Sequence, residues 1–220
     1  MSRHPFVSWL APDKIIKDSL WESITVAAKY AKGNLLDIGC GKKPYYEIFK
    51  NRVSSYIGLD LKDGDVRGSA LNLPFPNEHF ETVFSSMVLE HVEDPLLMFK
   101  EAARVLKKGG YLILTAPLFW CLHEEPKDFF RFTRYELSFL GKEAGLKLIY
   151  VKEMGNWLST VGQMISLFLE STANRTFLKY PKKVFQVILQ FFFCQMSKIE
   201  RFRKNKQAPI AYILVAQKMK

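Results

Sequence analysis

The stretch "NLLDIGCGKKPY", residues 34–45, decides the fold. An apolar run ends in Asp37. Gly39 and Gly41 follow one residue apart, then Lys42, Lys43 and Pro44. A short apolar run that stops at glycine reads as a buried strand entering a tight turn. The two glycines let the chain turn sharply and approach a ligand without a side chain in the way. A helix starting just beyond points free N–H groups at whatever is bound. The dinucleotide fingerprint G-x-G-x-x-G needs a third glycine where Pro44 stands, so this loop is only half of that motif.

Outward from the loop, strands and helices alternate. Residues 13–31 read as an amphipathic helix capped by Asp13 and stopped by Gly33, and 44–50 as one or two helical turns. "SYIGLD", 55–60, is a strand ending in an acid, "DVRGS" a short strand, and "FETVFSSMV", 80–88, another. Asp94 and Pro95 start a helix through Leu106, with "KKGG" as its end. "YLILTAP", 111–117, and "LKLIYVKEM" are strands flanking a helix from Thr133 to Ala144. "PIAYILVAQK", 209–218, is the last strand. This alternation implies an α/β fold, a mostly parallel sheet with helices on both faces. In such sheets ligands sit at the carboxyl ends of the strands, where the strand order reverses. We expect a single domain over 1–220, with 156–206 a helical insertion, apolar and basic, before the last strand.

Asp60 ends its strand nineteen residues after Gly41, where a carboxylate accepts hydrogen bonds from ribose hydroxyls. Asp37 discriminates between ligands. Beside a pyrophosphate it would repel; beside an amino group or a sulfonium it attracts. That favours S-adenosylmethionine (SAM) over NAD.

These residues carry a resemblance. "LLDIGCG", "YIGLD", "ALNLPFPNEHFETVFSSMVLEHVEDP" and "EAARVLKKGGYLILTAP" stand in the order of the motifs of a class I SAM-dependent methyltransferase. The branch they resemble is the ubiquinone/menaquinone-methyltransferase-like (type 11) one. The resemblance implies a Rossmann-like, seven-stranded sheet with its last strand antiparallel, and SAM as cofactor. Carried over by position, Asp37, Gly39, Cys40 and Gly41 line the methionine end of SAM. Asp60 holds the ribose, with Leu61 beside it. Ser69, Ala70 and Leu71 border the adenine, and Ser86 and Met87 lie near the methionine moiety. The chain departs from the family at Lys43, often glycine, and at Ser69, often aspartate. Lys42 and Lys43 either meet an anion or are solvated.

"PLFWCLHEEPKDFFRFTRYEL", 117–137, follows the fifth long strand and is placed to overhang the transferred methyl. Its H-x-x-P-x-D-F-x-R-F-T pattern resembles bacterial methyltransferases linked with cell-surface polysaccharide synthesis. Methyl transfer to a hydroxyl needs alignment and benefits from a base, and neutral imidazole suits pH 7. His123 is the candidate base and His91 its rival. The alternative is that His123 pins the loop while Asp128 and Arg131 form a structural ion pair. No metal is expected.

Composition bounds the partners. Net charge is +10, and residues 175–220 hold eleven Lys or Arg against Glu200 alone; the remainder carries 21 charges of each sign. An anionic partner therefore docks near the C-terminal part. Cys40, Cys121 and Cys194 are far apart and fit neither a disulfide framework nor a zinc site, in keeping with a cytoplasmic location. Met154–Leu169 and Val184–Ser197 are uncharged, each shorter than the ~20 residues of a spanning helix. On a helix, Gln186, Gln190, Ser197, Arg201 and Lys204 form a polar stripe opposite Ile188, Phe192, Ile199 and Phe202. With basic flanks, 180–206 reads either as a helix lying on an anionic membrane surface, peripheral at the inner face, or as a homodimer or active-site cover. The expected acceptor is a small molecule, sugar or lipid-linked saccharide, O-methylated. The alternatives are a quinone or lipid-like acceptor, and a SAM-binding regulator without turnover. No base-recognition motif supports nucleic acid as a partner.

Overall fold

The computed structural model describes residues 8, 11–171, 179–200 and 208–219. The chain divides into two compact units. One comprises Ile24–Leu118, Leu122–Lys152 and Tyr212–Lys220; the other comprises Met1–Ser23, Phe119–Cys121 and Glu153–Ala211.

The first unit carries the sheet. Its strands are β1 (Asn34–Ile38), β2 (Ser55–Asp60), β3 (Val66–Arg67), β4 (Phe80–Ser86), β5 (Leu106–Pro117), β6 (Leu146–Met154) and β7 (Ala211–Lys218), in the order β3-β2-β1-β4-β5-β7-β6. The pairs β1–β2, β2–β3, β1–β4 and β4–β5 are parallel. Antiparallel C-terminal strands complete the sheet, as the sequence led us to expect. From β1 the chain builds outward through β2 and β3, then returns to place β4 on the other side of β1. The carboxyl ends of β1 and β4 therefore flank the switch in strand order.

The sheet forms because both its faces are covered. Leu36, Ile38, Leu59, Val83, Leu112 and Leu114 are buried in one core with Met98, Phe99 and Ala102 of α3 (Pro95–Val105) and Leu137 and Leu140 of α4 (Arg134–Glu143). Phe49 of α2 (Tyr46–Phe49) packs against Phe84 of β4, with tilted rings whose centroids are 4.9 Å apart. Local signals fix the helix starts. The Asp94 carboxylate accepts from Leu97 N at 2.9 Å with Pro95 in the first turn, and the Thr133 hydroxyl accepts from Glu136 N at 3.2 Å. The first helix, α1, spans Lys14–Ala27 and tightens into a 3-10 turn at Ala28–Tyr30.

"KKGG" is not a helix end. The helix stops at Val105, and Leu106 is already extended, fully buried and paired with Phe80. The next register pair is Thr82 with Tyr111, so Lys107–Gly110 bulge opposite Glu81. Burying Leu106 in the core and pairing it with β4 outweighs one more helical residue.

The second unit contains α5 (Trp157–Ser171) and α6 (Lys179–Glu200). These helices meet through polar groups. Gln163, Ser166, Gln186 and Gln190 are all buried. Gln190 Nε2 donates to Ser166 Oγ at 2.7 Å and to Ala11 O at 2.9 Å; Gln186 Nε2 donates to Ser166 Oγ at 3.3 Å. Gln163 receives from Ile16 N and donates to Pro12 O. The large apolar side chains point the other way: Trp157, Val161, Phe168, Val184, Phe185, Ile188, Phe191 and Phe192 are 39–65% exposed. The polar stripe read from the sequence is real at Gln186 and Gln190, but it faces α5 and not water. Arg201, Phe202, Arg203 and Lys204 lie outside the described residues, as do the side chains of Lys182 and Ile199. No described helix is long and apolar enough to cross a membrane.

Candidate active site

The glycine loop closes over the end of β2. Gly39 N donates to Leu59 O at 2.8 Å, and Gly41 N donates to Asp60 Oδ2 at 3.1 Å. Gly39 has φ +70°, and a Cβ there would stand 2.3 Å from Val88, so no other residue fits. Gly41 has φ +46° with open space above it. Lys43, where the resemblance expects glycine, keeps the left-handed conformation at φ +54°. Its ammonium pairs with Asp65 at the surface, and Lys42 is exposed. Cys40 is buried beneath the loop against Gly58 and Gly64, and burial pushes its thiol up to about 11, which makes it inert packing.

Two carboxylates frame this loop, with opposite electrostatics. Asp37 is buried at the end of β1. Burial pushes its carboxyl up to about 7, against a hydrogen bond from Tyr56 OH at 2.5 Å and the pull of Lys43. Tyr56 reaches it because Asp37 lies opposite Gly58, which makes Tyr56 its diagonal neighbour on the same sheet face. Asp60 is raised by burial, but the backbone N–H groups of Lys62, Gly41, Asp63 and Leu61 outweigh that and hold it below the usual range. Leu61 beside it is exposed. Gly68 N donates to Asp60 O at 3.1 Å, which brings Ser69, Ala70 and Leu71 up to the same edge. The Ser69 hydroxyl is turned back to accept from Leu71 N at 3.1 Å. On the other side of the switch, Ser86 Oγ lies 2.9 Å from Thr115 Oγ1, and Met87 stands at φ +55° with its N–H on Thr115 O. A left-handed methionine at the end of a strand is costly backbone of the kind that clusters at functional sites.

Residues 36–114 match the family model described as methyltransferase domain. That span holds every residue of the cradle. Residues 36–114 are a methyltransferase domain, on the SAM-binding class I fold. The chain is 28% identical over 67% of its length to an uncharacterized protein of Methanocaldococcus jannaschii, covering 75% of that protein. It is 32% identical over 41% of its length to the demethylmenaquinone methyltransferase of Bacillus licheniformis, spanning only 34% of that relative. The cyclase SpnF matches over 97% of this chain and 86% of its own, with TM-score 0.65 and 18% identity, a likeness of fold alone. The methyltransferase cradle fits its donor on its own geometry. A buried carboxylate answers a cationic sulfonium and amine, a strand-end carboxylate answers ribose hydroxyls, and the space over Gly41 admits a ligand against bare backbone.

Past β4 the chain forms a 3-10 turn, Leu89–His91, and the 122–132 loop is stitched to it. Phe129 N and Phe130 N donate to Glu90 O at 2.9 and 3.3 Å, and His91 Nδ1 lies 2.7 Å from Lys127 O. These bonds bring His91 and His123 together with ring centroids 4.6 Å apart. His123 Nδ1 lies 3.2 Å from Asp128 Oδ2, and Asp128 is itself held by Arg131 at 2.6 and 2.7 Å. Arg131 first, together with the His123 N–H, holds the Asp128 carboxyl far below its usual range despite burial. The sequence pattern thus names both histidines and the ion pair, but not that all four belong to one cluster.

Two members were missed. Tyr56 carries no signal without the β1–β2 register. Glu90 stands in "LEHV" as an ordinary turn acid, yet its side chain is buried and neither carboxylate oxygen has a hydrogen-bond partner among the described residues. Burial pushes it up to about 8.

Proposed function

We propose that the enzyme methylates a hydroxyl group of a sugar-bearing small molecule held at or near a lipid surface, as in cell-surface glycan metabolism. The observation that carries the choice of oxygen is the His91–His123 pair: His91 stands four residues beyond Met87, just past β4, and the 122–132 loop brings His123 against it. When bound, SAM supplies a methyl group already activated by its sulfonium. The chain then has two tasks. The cradle holds the donor through Asp37 and Asp60, and the 122–132 loop positions the acceptor. SAM held by Asp37 and Asp60 would supply the methyl carbon, to which an acceptor oxygen would bond as the carbon–sulfur bond breaks with its electron pair left on sulfur. The hydroxyl proton passes to His123, whose ring Asp128 orients. His123→Ala is expected to leave SAM affinity near normal and to cut turnover about 10²-fold. Turnover of a labelled methyl group with an identified acceptor measures this. A change smaller than threefold would make His123 a loop pin.

The lipid-surface part rests on the second unit. Its helices bury glutamines and serines and expose phenylalanines, the reverse of a water-soluble hairpin. Basic residues gather on both sides of this apolar run in the sequence, Lys182 and Lys183 before it and Lys198, Arg201, Arg203 and Lys204 after it. Burial against protein would account for the apolar face but not for the flanks. A helix lying in an anionic interface accounts for both. Each basic residue near such a surface contributes about 1 kcal/mol, falling with salt. Co-sedimentation with anionic vesicles is expected, weakened by salt, by Lys182, Lys183, Arg201 and Arg203 changed together to Gln, and by Phe185→Ser with Ile188→Ser. A dimer that ignores anionic vesicles at low salt would turn this face into a protein interface. The surface then serves a quinone or lipid-like acceptor as readily as a lipid-linked sugar, and a screen with membranes present separates the two.

A further inference from the structure

We propose that Glu90, His91 and His123 bind one divalent transition-metal cation. This rests on reading the cluster as the acceptor end of the active site, and gives that end a ligand of its own.

One donor atom from each of the three residues lies within 4.8 Å of the other two. His91 and His123 are 32 residues apart in the chain, so no sequence spacing announces the site. Glu90 is the strongest observation. A carboxyl group that is 1% exposed, with neither oxygen hydrogen-bonded among the described residues, is an expensive arrangement unless something else satisfies it. A cation seated between it and the two imidazoles does so.

Both histidines are also held as metal ligands are held. A ligating imidazole commonly donates its other N–H to a carbonyl or a carboxylate, which fixes the tautomer and the ring. The His91 Nδ1–H is placed to donate to Lys127 O at 2.7 Å, which leaves Nε2 with the lone pair. The Nδ1 of His123 faces Asp128 Oδ2, and Arg131 anchors that carboxylate. Around Glu90, Asp128 and Glu124 outnumber the single guanidinium of Arg131, so the surroundings favour a cation. Two imidazoles and one carboxylate suit zinc, manganese, iron, cobalt or nickel, not the oxygen-only preference of calcium and magnesium. Three protein ligands leave a coordination position open, and an oxygen of the acceptor is the group to fill it. The proton taken up by His123 in a metal-free mechanism would then leave to solvent, because the cation itself acidifies the hydroxyl.

The test uses the full untagged chain, stripped with chelator and titrated with Co(II) by visible absorption and with Zn(II) by calorimetry, with neither SAM nor acceptor present. The expected result is one cation per chain, with ligand-field bands of nitrogen–oxygen coordination. Glu90→Gln and His123→Ala should each weaken binding at least about tenfold, while His79→Ala leaves it unchanged. No stoichiometric uptake by the wild-type chain overturns the proposal, as does affinity unchanged in both variants. The wild-type titration decides alone if a variant fails to fold. A chain that takes up no cation, yet loses turnover in His123→Ala, refutes the metal site and leaves the acceptor-site reading standing.

Discussion

Replacing Asp37 with Asn is expected to raise the melting temperature of the ligand-free protein at pH 8 and to raise it by less than half as much at pH 5. Burial lifts the Asp37 carboxyl to about 7 from an ordinary 3.8. Between those values the folded state keeps a proton that the unfolded chain has released. Its contribution to stability therefore falls as pH rises through this window, and the full penalty is in place above pH 7. That penalty is on the order of 4 kcal/mol, and its removal raises the melting temperature of a chain of this size by roughly 8–16 °C. Asn still accepts the hydrogen bond from Tyr56, so the gain is not cancelled by a lost contact. The same substitution should weaken SAM binding about tenfold, because a cationic ligand is what repays the buried charge. In the wild type, SAM affinity should climb between pH 6 and pH 7.5, and binding near pH 6 should release a proton, visible as a dependence of the calorimetric heat on the buffer. A melting temperature at pH 8 equal to or below that of the wild type would show that Asp37 carries no such strain.

Asp60→Ala should cost more in binding and leave the fold intact. The carboxylate has two duties. It holds Gly41 N, Lys62 N and Asp63 N in place, and in the proposed cradle it would accept from the ribose hydroxyls. Each hydrogen bond to a charged acceptor contributes roughly 1.5–3 kcal/mol before losses. SAM affinity should fall by more than about tenfold, through both lost ribose bonds and a loosened glycine loop. Asp60→Asn, which keeps an oxygen for the Gly41 amide, should fall between the two. Far-UV circular dichroism should be unchanged, because β1 pairs with β2 from Ser55 to Leu59 and β3 pairs with its last two residues. SAM affinity within a factor of two of wild type would remove Asp60 from the cradle.

The cradle was legible because its chemistry is local. Gly39, Gly41 and Asp60 are fixed by the turn after one strand and the end of the next, and parallel pairing alone brings the two together. Lys43 shows the limit of motif reading. It replaces a glycine but keeps the glycine's backbone conformation, so the departure in sequence is no departure in shape. "KKGG" misled because glycine after lysines resembles a helix cap, while long-range pairing of Leu106 with Phe80 won. Tyr56 and Glu90 were invisible for a related reason. One acts through the strand register, and the other through a loop that returns from forty residues later. The α6 stripe was read correctly as a pattern and wrongly as to what it faces. Periodicity tells which residues share a side of a helix, not whether Ser166 or water lies against it.

Calorimetric titration of the purified chain with SAM, and separately with NAD, tests the central claim most directly. One SAM per chain is expected, with a preference for SAM over NAD of at least about a hundredfold and weaker binding in both Asp37→Asn and Asp60→Ala. Preferred binding of NAD, or no binding of SAM at pH 8, would contradict it.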